Sequence, residues 1–343
     1  MQKINIHIEI VRCGIYKLSS MGLKSCKMIQ QVLAEEYENV VITYINNEED
    51  LMDLVDRRPD LVFLGFKNLE SSSGEKIWIS DVLDEHEINY TGSPGRAIKL
   101  DYNKDQAKKV INGAGLQTSA FFSAEPGQFE TLDSLPISFP LFVKPPQEGG
   151  GKGIDDESVV HDLVSFNKKV SYISDRFQSP ALVERYLAGR EFSVALLEFG
   201  DNREIRAMPI ELVAKQNMNG DRILSGKVKV DDTEHVISVN RGDLREAITD
   251  LAIDSFRVVG GRDYGRVDIR LNEVDEPHFL EVNLVPGLAF HDFTSYFTSA
   301  CWIDERMNYK KMVLSITQQA LKRSLEALPE PILSSNTVAI LSI

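Results

Sequence analysis

Two stretches near the C-terminus decide how this chain is read: Gly265-Arg-Val-Asp-Ile-Arg270 and Phe279-Leu-Glu-Val-Asn-Leu-Val-Pro-Gly287. Each alternates apolar and polar residues with the period of two that marks a half-buried strand. Arg266 and Asp268 then project from one face of the first strand, and Glu281 and Asn283 from one face of the second. Two carboxylates and an amide oxygen on neighbouring strands form an all-oxygen set suited to Mg²⁺, commonly shared with nucleotide phosphates. The competing reading is a pair of solvated strand faces. Around them the C-terminal half reads as mostly antiparallel, with strands over Ser193 to Phe199, Arg206 to Val213, Gly265 to Leu271 and His278 to Val282. One helix over Asp243 to Val259 interrupts these strands, and another over Met307 to Leu325 closes the pattern.

Upstream, Phe139-Pro-Leu-Phe-Val-Lys144-Pro is an apolar strand that delivers Lys144 at its end. It leads into Glu148-Gly-Gly-Gly-Lys-Gly153, a glycine run able to bring backbone N–H groups against phosphate oxygens. Gly153 follows Lys152 where a Walker A loop needs Ser or Thr, so this is a different loop or an ordinary surface turn. In Ala181-Leu-Val-Glu184-Arg-Tyr-Leu187-Ala-Gly-Arg-Glu191 an apolar strand runs into a connector with two placed carboxylates, suited to an adenine edge and a ribose or simply to a surface turn. The segment Asp101 to Ala114 reads as one helix, with Lys104 and Lys108 a turn apart on one face.

The N-terminal part has another rhythm. A strand over Ile4 to Ile10, a helix over Leu23 to Glu36, a strand over Val40 to Ile45, a helix over Glu48 to Asp56 and a strand over Leu61 to Phe66 predict βαβ units and a parallel sheet. A fourth strand is expected at Ile88 to Tyr90, before the turn Thr91-Gly-Ser-Pro-Gly95. The chain thus divides into residues 1–100, 101–188 and 189–328, with an unplaced tail over 329–343.

With 343 residues, 43% of them hydrophobic and 26% charged, the chain has globular rather than disordered composition. The 38 Lys and Arg against 52 Asp and Glu leave a formal charge of −14, which repels phosphate backbones and argues against nucleic acid as a partner. An anionic ligand therefore needs a local pocket of basic side chains. Cys13, Cys26 and Cys301 offer neither a disulfide framework nor zinc-site spacing. The opening residues lack the unbroken apolar run of a signal peptide, and no window reads as a membrane span. A cytoplasmic protein without membrane attachment is the expectation.

Taken together, these motifs resemble the ATP-grasp superfamily, and within it the D-alanine–D-alanine ligase branch. The ordered matches, over about residues 58 to 320, are Pro59 to Phe63, Ile88 to Ser93, Lys104 with Lys108, Phe139 to Pro145, Leu182 to Ser193, Gly265 to Asp268 and Glu281 to Gly287. The resemblance implies an α/β chain with an N-terminal parallel domain (1–100), a central lid (101–188) and a mostly antiparallel C-terminal catalytic part (189–328). It implies ATP and a pair of Mg²⁺ ions: Asp268, Glu281 and Asn283 match residues that hold the metal, with Mn²⁺ able to substitute. Lys104 and Lys144 match the phosphate lysines, beside the glycine loop at Gly150 and Gly151. Glu184 and the backbone of Arg185 and Leu187 match the adenine connector, and Glu191 the ribose ligand. Arg266 and the N–H of Gly287 match the groups that stabilise the oxyanion of a tetrahedral intermediate. Lys227 matches the mobile-loop lysine that reaches the γ-phosphate, with Lys229 and Lys215 as alternatives.

The implied activity is ATP-dependent joining of a carboxylate to an amine through an acyl phosphate, with a homodimer as the family's usual assembly. The substrate anchors depart from the family. Leu18 and Gly22 stand where those ligases carry a Glu-x-x-x-Ser element, and Phe66-Lys67-Asn68 replaces their His-Gly element. Asp292, beside His291, falls where a serine holds the acceptor carboxylate; Ser19 and Ser20 are the donor-side candidates. His291 and Asp292 equally suit a helix cap, and Ser19 and Ser20 a plain loop. Three functions follow: a carboxylate–amine ligase for amino acids or similar small molecules, a true D-alanine–D-alanine ligase with altered anchors, and a non-catalytic nucleotide-binding regulator.

Overall fold

The computed structural model describes residues 3–15, 20–290 and 295–326. Strand β1 (Ile4–Arg12) lies between β2 (Tyr37–Tyr44) and β3 (Leu61–Leu64), all parallel. Parallel strands need both faces covered. Helix α1 (Leu23–Glu36) supplies Cys26, Ile29 and Leu33 to the face carrying Ile8 and Ile10, while α2 (Glu48–Arg57) packs Leu51, Leu54 and Val55 on the face carrying Val11. Glu9, on β1, is buried, and Arg57 holds it by an ion pair at 2.8 Å, with Thr43 donating to it as well.

The expected fourth strand reduces to a single parallel bridge between Val62 and Tyr90. The chain then leaves the sheet, because Gly92 N–H donates to Asp263 Oδ2 at 2.7 Å and so is drawn toward the C-terminal half. A small hairpin, β4 (Asn68–Glu70) with β5 (Lys76–Trp78), follows β3 and precedes α3 (Ile79–Glu85).

The expected single helix over 101–114 is two. Helix α4 (Gly95–Tyr102) ends where Asn103 turns extended, and α5 (Lys104–Gly113) begins with the Asn103 side chain accepting from Gln106 N–H. An Asn N-cap satisfies a donor that a continuous helix would have paired internally. The break turns Lys104 toward the glycine run, where its N–H donates to Pro146 O at 3.0 Å.

A second, four-stranded sheet runs in the order β6 (Phe121–Ala124), β9 (Ala181–Arg185), β7 (Leu141–Lys144), β8 (Val159–Val160), with every pairing antiparallel. It is backed by α6 (Leu163–Phe177), whose Phe166, Val170 and Ile173 form a core of their own with Leu141, Val143 and Val183. That separate core lets the sheet act as one body.

The third sheet is antiparallel, in the order β12 (His235–Ser238), β11 (Glu204–Val213), β10 (Glu191–Phe199), β13 (Tyr264–Leu271), β14 (Pro277–Asn283). Its two faces share cores with the N-terminal sheet: α8 (Asp243–Val258) packs with Phe192, Val267 and Phe279, while α9 (Tyr296–Glu305) and α10 (Tyr309–Glu326) pack with Ala195, Met208 and Ile210. The short helix α7 (Gly226–Asp231) lies in the long connection between β11 and β12.

Candidate active site

Strands β13 and β14 pair so that Arg266 stands opposite Asn283, and Asp268 opposite Glu281. The intervening apolar residues Val267, Ile269, Phe279 and Val282 are buried, so one face anchors the pair while the other is left for polar groups. Each such side chain contributes roughly 1.5–3 kcal/mol on burial, which makes the register costly to slip. The register shifts just past Asp268: Ile269 pairs with Phe279, so Leu280 is an extra residue in β14. Such a bulge re-aims the strand, and Leu280 lines the slot described below.

Asp268 is held on all sides. Arg266 grips it through two bonds of 2.9 Å, Ser193 Oγ donates at 2.6 Å from the neighbouring strand, and the Asn283 amide donates at 3.3 Å. Glu281 lies 3.4 Å from Lys104 Nζ. Burial alone would raise its carboxyl, but the charges of Lys104, Lys229, Lys144 and Arg266 override this and hold it well below the usual carboxylate range. Burial lowers the Arg266 guanidinium, yet Asp268 more than offsets that and keeps it charged.

The opposing wall comes from the four-stranded sheet. Lys144, at the end of β7, sits 2.9 Å from Glu184 Oε1 on β9, a diagonal cross-strand pair. Lys108, fully buried on α5, approaches the same carboxylate oxygen at 3.4 Å and donates to Thr118 Oγ1 at 2.7 Å and Ser119 Oγ at 3.0 Å. Burial, and then Lys144, pulls the Lys108 ammonium down to about 8, against the attraction of Glu184. For Glu184 burial pulls upward, but the two ammonium groups prevail and keep its carboxyl low. One carboxylate cannot fully offset two ammoniums, and the deeper one gives way.

Two openings meet between these walls. A slot is walled by Phe142, Ile154, Leu187 and Leu280, with Glu184, Arg185, Tyr186 and Glu191 along it. Phe142 and Tyr186 stack with centroids 6.5 Å apart, giving a flat apolar lining. At its far end Glu191 pairs with Arg270 at 3.0 Å, although burial, with Asp268 and Glu281 nearby, keeps its carboxyl above the usual range. The second opening, about 520 Å³, is lined by Lys104, Gly150, Lys229, Arg266, Asn283 and Gly287 among others. Glu281 and Lys229 line both.

The glycine run crosses the second opening. Gly151, at φ +77°, passes so close to α7 that an added Cβ would stand 2.7 Å from Gly226 N. Glu148 O accepts from Lys104 Nζ at 2.5 Å, which fixes the start of the run to α5.

The structure brings together Lys104, Lys144, Gly150, Glu184, Arg185, Leu187, Glu191, Arg266, Asp268, Glu281, Asn283 and Gly287 around these two openings, with Gly151 on the flank against α7. Lys227, the expected loop lysine, lines neither of these two openings. Lys229 lines both openings, and on α7 two residues rotate the side chain by roughly 200°, so one of the pair faces in as the other faces away. Ser20 lines the larger opening; Ser19, His291, Asp292 and the tail 329–343 lie outside the described residues. The sequence reading missed Lys108 as a buried partner of Glu184. It also missed Asp101, which accepts from Lys67 Nζ at 2.6 Å and from Leu284 N–H at 2.7 Å and so locks the end of β14. Tyr296 and Glu234 were missed too, because no strand or helix period links them.

The family model described as "D-ala D-ala ligase C-terminus" matches residues 110–318. The chain belongs to the D-alanine–D-alanine ligase family. A D-alanine–D-alanine ligase of Alcanivorax borkumensis is 31% identical over 278 residues, covering 80% of this chain and 83% of that one. One from Hydrogenovibrio crunogenus is 26% identical over 318 residues, covering 92% and 94%. Among solved structures, the D-alanine–D-alanine ligase from Bacillus anthracis superposes with a TM-score of 0.71 at 18% identity, over 94% of this chain and 99% of that one; the same protein complexed with ATP gives the same values. The fold is therefore the ATP-grasp fold of this ligase family, with a parallel N-terminal sheet and an antiparallel C-terminal one, as the sequence resemblance implied. Membership makes this family member an ATP-dependent carboxylate–amine ligase acting on small molecules.

Among the described residues no helix is long and apolar enough to cross a membrane.

Proposed function

We propose that the two openings hold ATP and Mg²⁺ against a carboxylate, and that the chain joins this acid to an amine through an acyl phosphate. The observation that carries the reading is the direct opposition of Asp268 and Glu281 across β13 and β14, facing Lys104 from α5 and Lys144 from the four-stranded sheet. The base would lie in the slot beside Phe142 and Leu187, with Glu184 and the Arg185–Leu187 backbone at its edge and Glu191 at the ribose. Lys104, Lys144, Lys229 and the glycine run would hold the phosphates.

The donor set fits the metal. Among the described residues no group of three or more His, Cys, Asp or Glu gathers as a closed cage. Two carboxylates and an amide suit Mg²⁺, which keeps few protein ligands and completes its octahedron with phosphates and water. When bound, the metal would neutralise phosphate charge. The transfer itself depends on the protein's positioning: a carboxylate oxygen bonds to the γ-phosphorus as the bond to ADP breaks. The amine nitrogen then bonds to the acyl carbon, phosphate leaves, and the amine gives up a proton. Arg266 and the N–H of Gly287 would face the oxygen on which charge builds; such preorganised donors contribute about 3–4 kcal/mol each.

The substrates are amino acids or similar small molecules. A true D-alanine–D-alanine ligase is the second reading, favoured by the names of the relatives, against Leu18 and Lys67 at the expected anchor positions. A homodimer in a reducing compartment completes the proposal; the three cysteines are free and buried, in keeping with such a compartment. The test is ADP release over paired acids and amines, D-alanine included. ADP that requires both partners supports the ligase chemistry, and dipeptide from D-alanine alone selects the second reading. ADP formed with every amine omitted, with a stable phosphorylated product, would replace the ligation step by a kinase one.

A further inference from the structure

Tyr296 opens α9 and lines the larger cavity, yet no role has been assigned to it so far. Its ring centroid lies 5.5 Å from Arg266 Cζ and 5.8 Å from Lys229 Nζ. Its hydroxyl donates to Glu234 Oε1, in the segment just beyond α7. The other carboxylate oxygen of Glu234 is buried without a hydrogen-bond partner. One aromatic side chain thus touches a cation from the strand pair, a cation from α7 and an acid from the chain that follows α7.

The chemistry of that arrangement is directional. A phenol that donates to a carboxylate gains electron density in its ring, and a richer ring attracts cations more strongly. Two like charges near one ring repel each other, so the ring offsets that repulsion while it fixes their distance. The Glu234 bond also joins α7, which carries Lys229, to α9, which sits on the C-terminal sheet. Burial and Glu234 together raise the phenol far above its ordinary range, so it stays a donor at any working pH.

We propose that Tyr296 is a positioning residue that latches the α7 segment over the cavity and sets Lys229 relative to Arg266. The latch rests on the ligase reading for the meaning of those two cations, but not for its own existence. It acts through its neighbours: the hydroxyl holds the segment, and the ring holds the cations. Losing the hydroxyl loosens closure and weakens nucleotide binding, while losing the ring also misplaces Arg266 and slows the chemical step.

The test compares Tyr296→Phe, Tyr296→Leu, Glu234→Gln and the Tyr296→Phe/Glu234→Gln double variant in the full-length protein. Hydrogen exchange of residues 225–234 is followed with and without Mg²⁺ and a non-hydrolysable ATP analogue. Tyr296→Phe should speed exchange in that segment about tenfold, the scale of one lost hydrogen bond to a charged group, and Glu234→Gln, which keeps an amide oxygen as acceptor but loses the charge, by a smaller factor, with β13 and α8 unchanged. The double variant should exchange as Tyr296→Phe alone does, because both changes act on the same bond. In steady state KM for ATP should rise in Tyr296→Phe with kcat kept, whereas Tyr296→Leu should also lose kcat. Wild-type exchange in both single variants, or additive effects in the double one, would overturn the latch. If either tyrosine variant fails to fold, Glu234→Gln alone still decides through its exchange. A wild-type protein that closes on nucleotide but forms no ligated product would remove the ligase reading and leave the latch standing.

Discussion

At the scale of single residues, the buried triad of Lys108, Glu184 and Lys144 holds an uneven charge count. Removing the carboxylate leaves two buried ammoniums facing each other, whereas removing the deeper ammonium leaves a matched pair. Breaking a buried pair by removing one partner typically costs about 3–5 kcal/mol, whereas loss of the surplus ammonium leaves the Lys144–Glu184 pair intact. Glu184→Gln should therefore lose roughly that much stability, and Lys108→Met should stay within about 1 kcal/mol of wild type at neutral pH. The pH dependence follows from the same group. The folded Lys108 ammonium titrates at about 8 against an ordinary 10.5, so between those values the unfolded chain binds more protons. Wild-type stability should gain from this residue as pH rises through that window, and Lys108→Met should lack the gain. Urea unfolding at about pH 7.5 and about pH 10 checks it; equal pH slopes in the two proteins would exclude Lys108 as the source.

Glu281 behaves in the opposite sense. Its folded carboxyl lies below the usual value of 4.5, so its ion pairing is fully present above that pH and is lost as pH falls toward the folded value. Glu281→Gln removes one cation-facing charge, and turnover should fall about a hundredfold or more, on the scale of several kcal/mol for an electrostatic group at a reacting centre. Its thermal midpoint at neutral pH should drop only modestly, and the gap from wild type should close on acidification. Near-normal ADP formation in this variant would mean that the metal lies elsewhere.

At the scale of elements, the hairpin of β13 and β14 was readable because a period of two survives when one face is buried, and Arg266, Asp268, Glu281 and Asn283 obey it. The Leu280 bulge left no such trace, since an extra residue within an apolar run changes no pattern. Helical spacing foresaw Lys104 and Lys108 on one face but not the break at Asn103, where a side-chain cap competes with a continuous helix. On α7 the chain is too short for a period to separate Lys227 from Lys229. Helix α9 buries Phe297, Thr298, Ala300 and Cys301 with no clear polar face, so Tyr296 could not be placed in advance. What escaped the sequence is what depends on long-range contacts.

The glycine run shows how an element can depend on a single backbone position. Gly151 combines a left-handed φ of +77° with a position so close to the start of α7 that an added Cβ would lie 2.7 Å from Gly226 N. An alanine there meets backbone rather than a movable side-chain tip, so the run must shift away from Gly226. Gly151 takes no part in the core of the four-stranded sheet. Gly151→Ala should weaken nucleotide binding about tenfold or more, the scale of 1–3 kcal/mol for a strained backbone position, while unfolding by urea changes little. Calorimetric titration with Mg²⁺–ATP measures the first effect. An unchanged affinity would show that the run can close without touching α7.

At the scale of the whole molecule, the N-terminal and C-terminal sheets share two cores, whereas the four-stranded sheet has one to itself. Between that body and the rest, the site is crossed by a charge pair and a small apolar cluster: Lys108 on α5 reaches Glu184 on β9 at 3.4 Å, and Val159 and Tyr186 pack with Ile223. A triphosphate with its metal would add a further bridge, from Lys144 on the four-stranded sheet to Lys104, Asp268, Glu281 and Asn283 on the other side. Such a ligand binds only the assembled form, so it stabilises by mass action: about 2.7 kcal/mol at a hundredfold excess over Kd. The stabilisation should need the metal, since without it the two carboxylates would repel the phosphates they face. ATP with Mg²⁺ should therefore raise the apparent thermal midpoint by several degrees, and excess EDTA should abolish most of that rise. Glu281→Gln should tolerate EDTA better than wild type does, because one of the repelling charges is gone. A midpoint shift that survives EDTA undiminished in the wild-type protein would place the phosphates away from these strands.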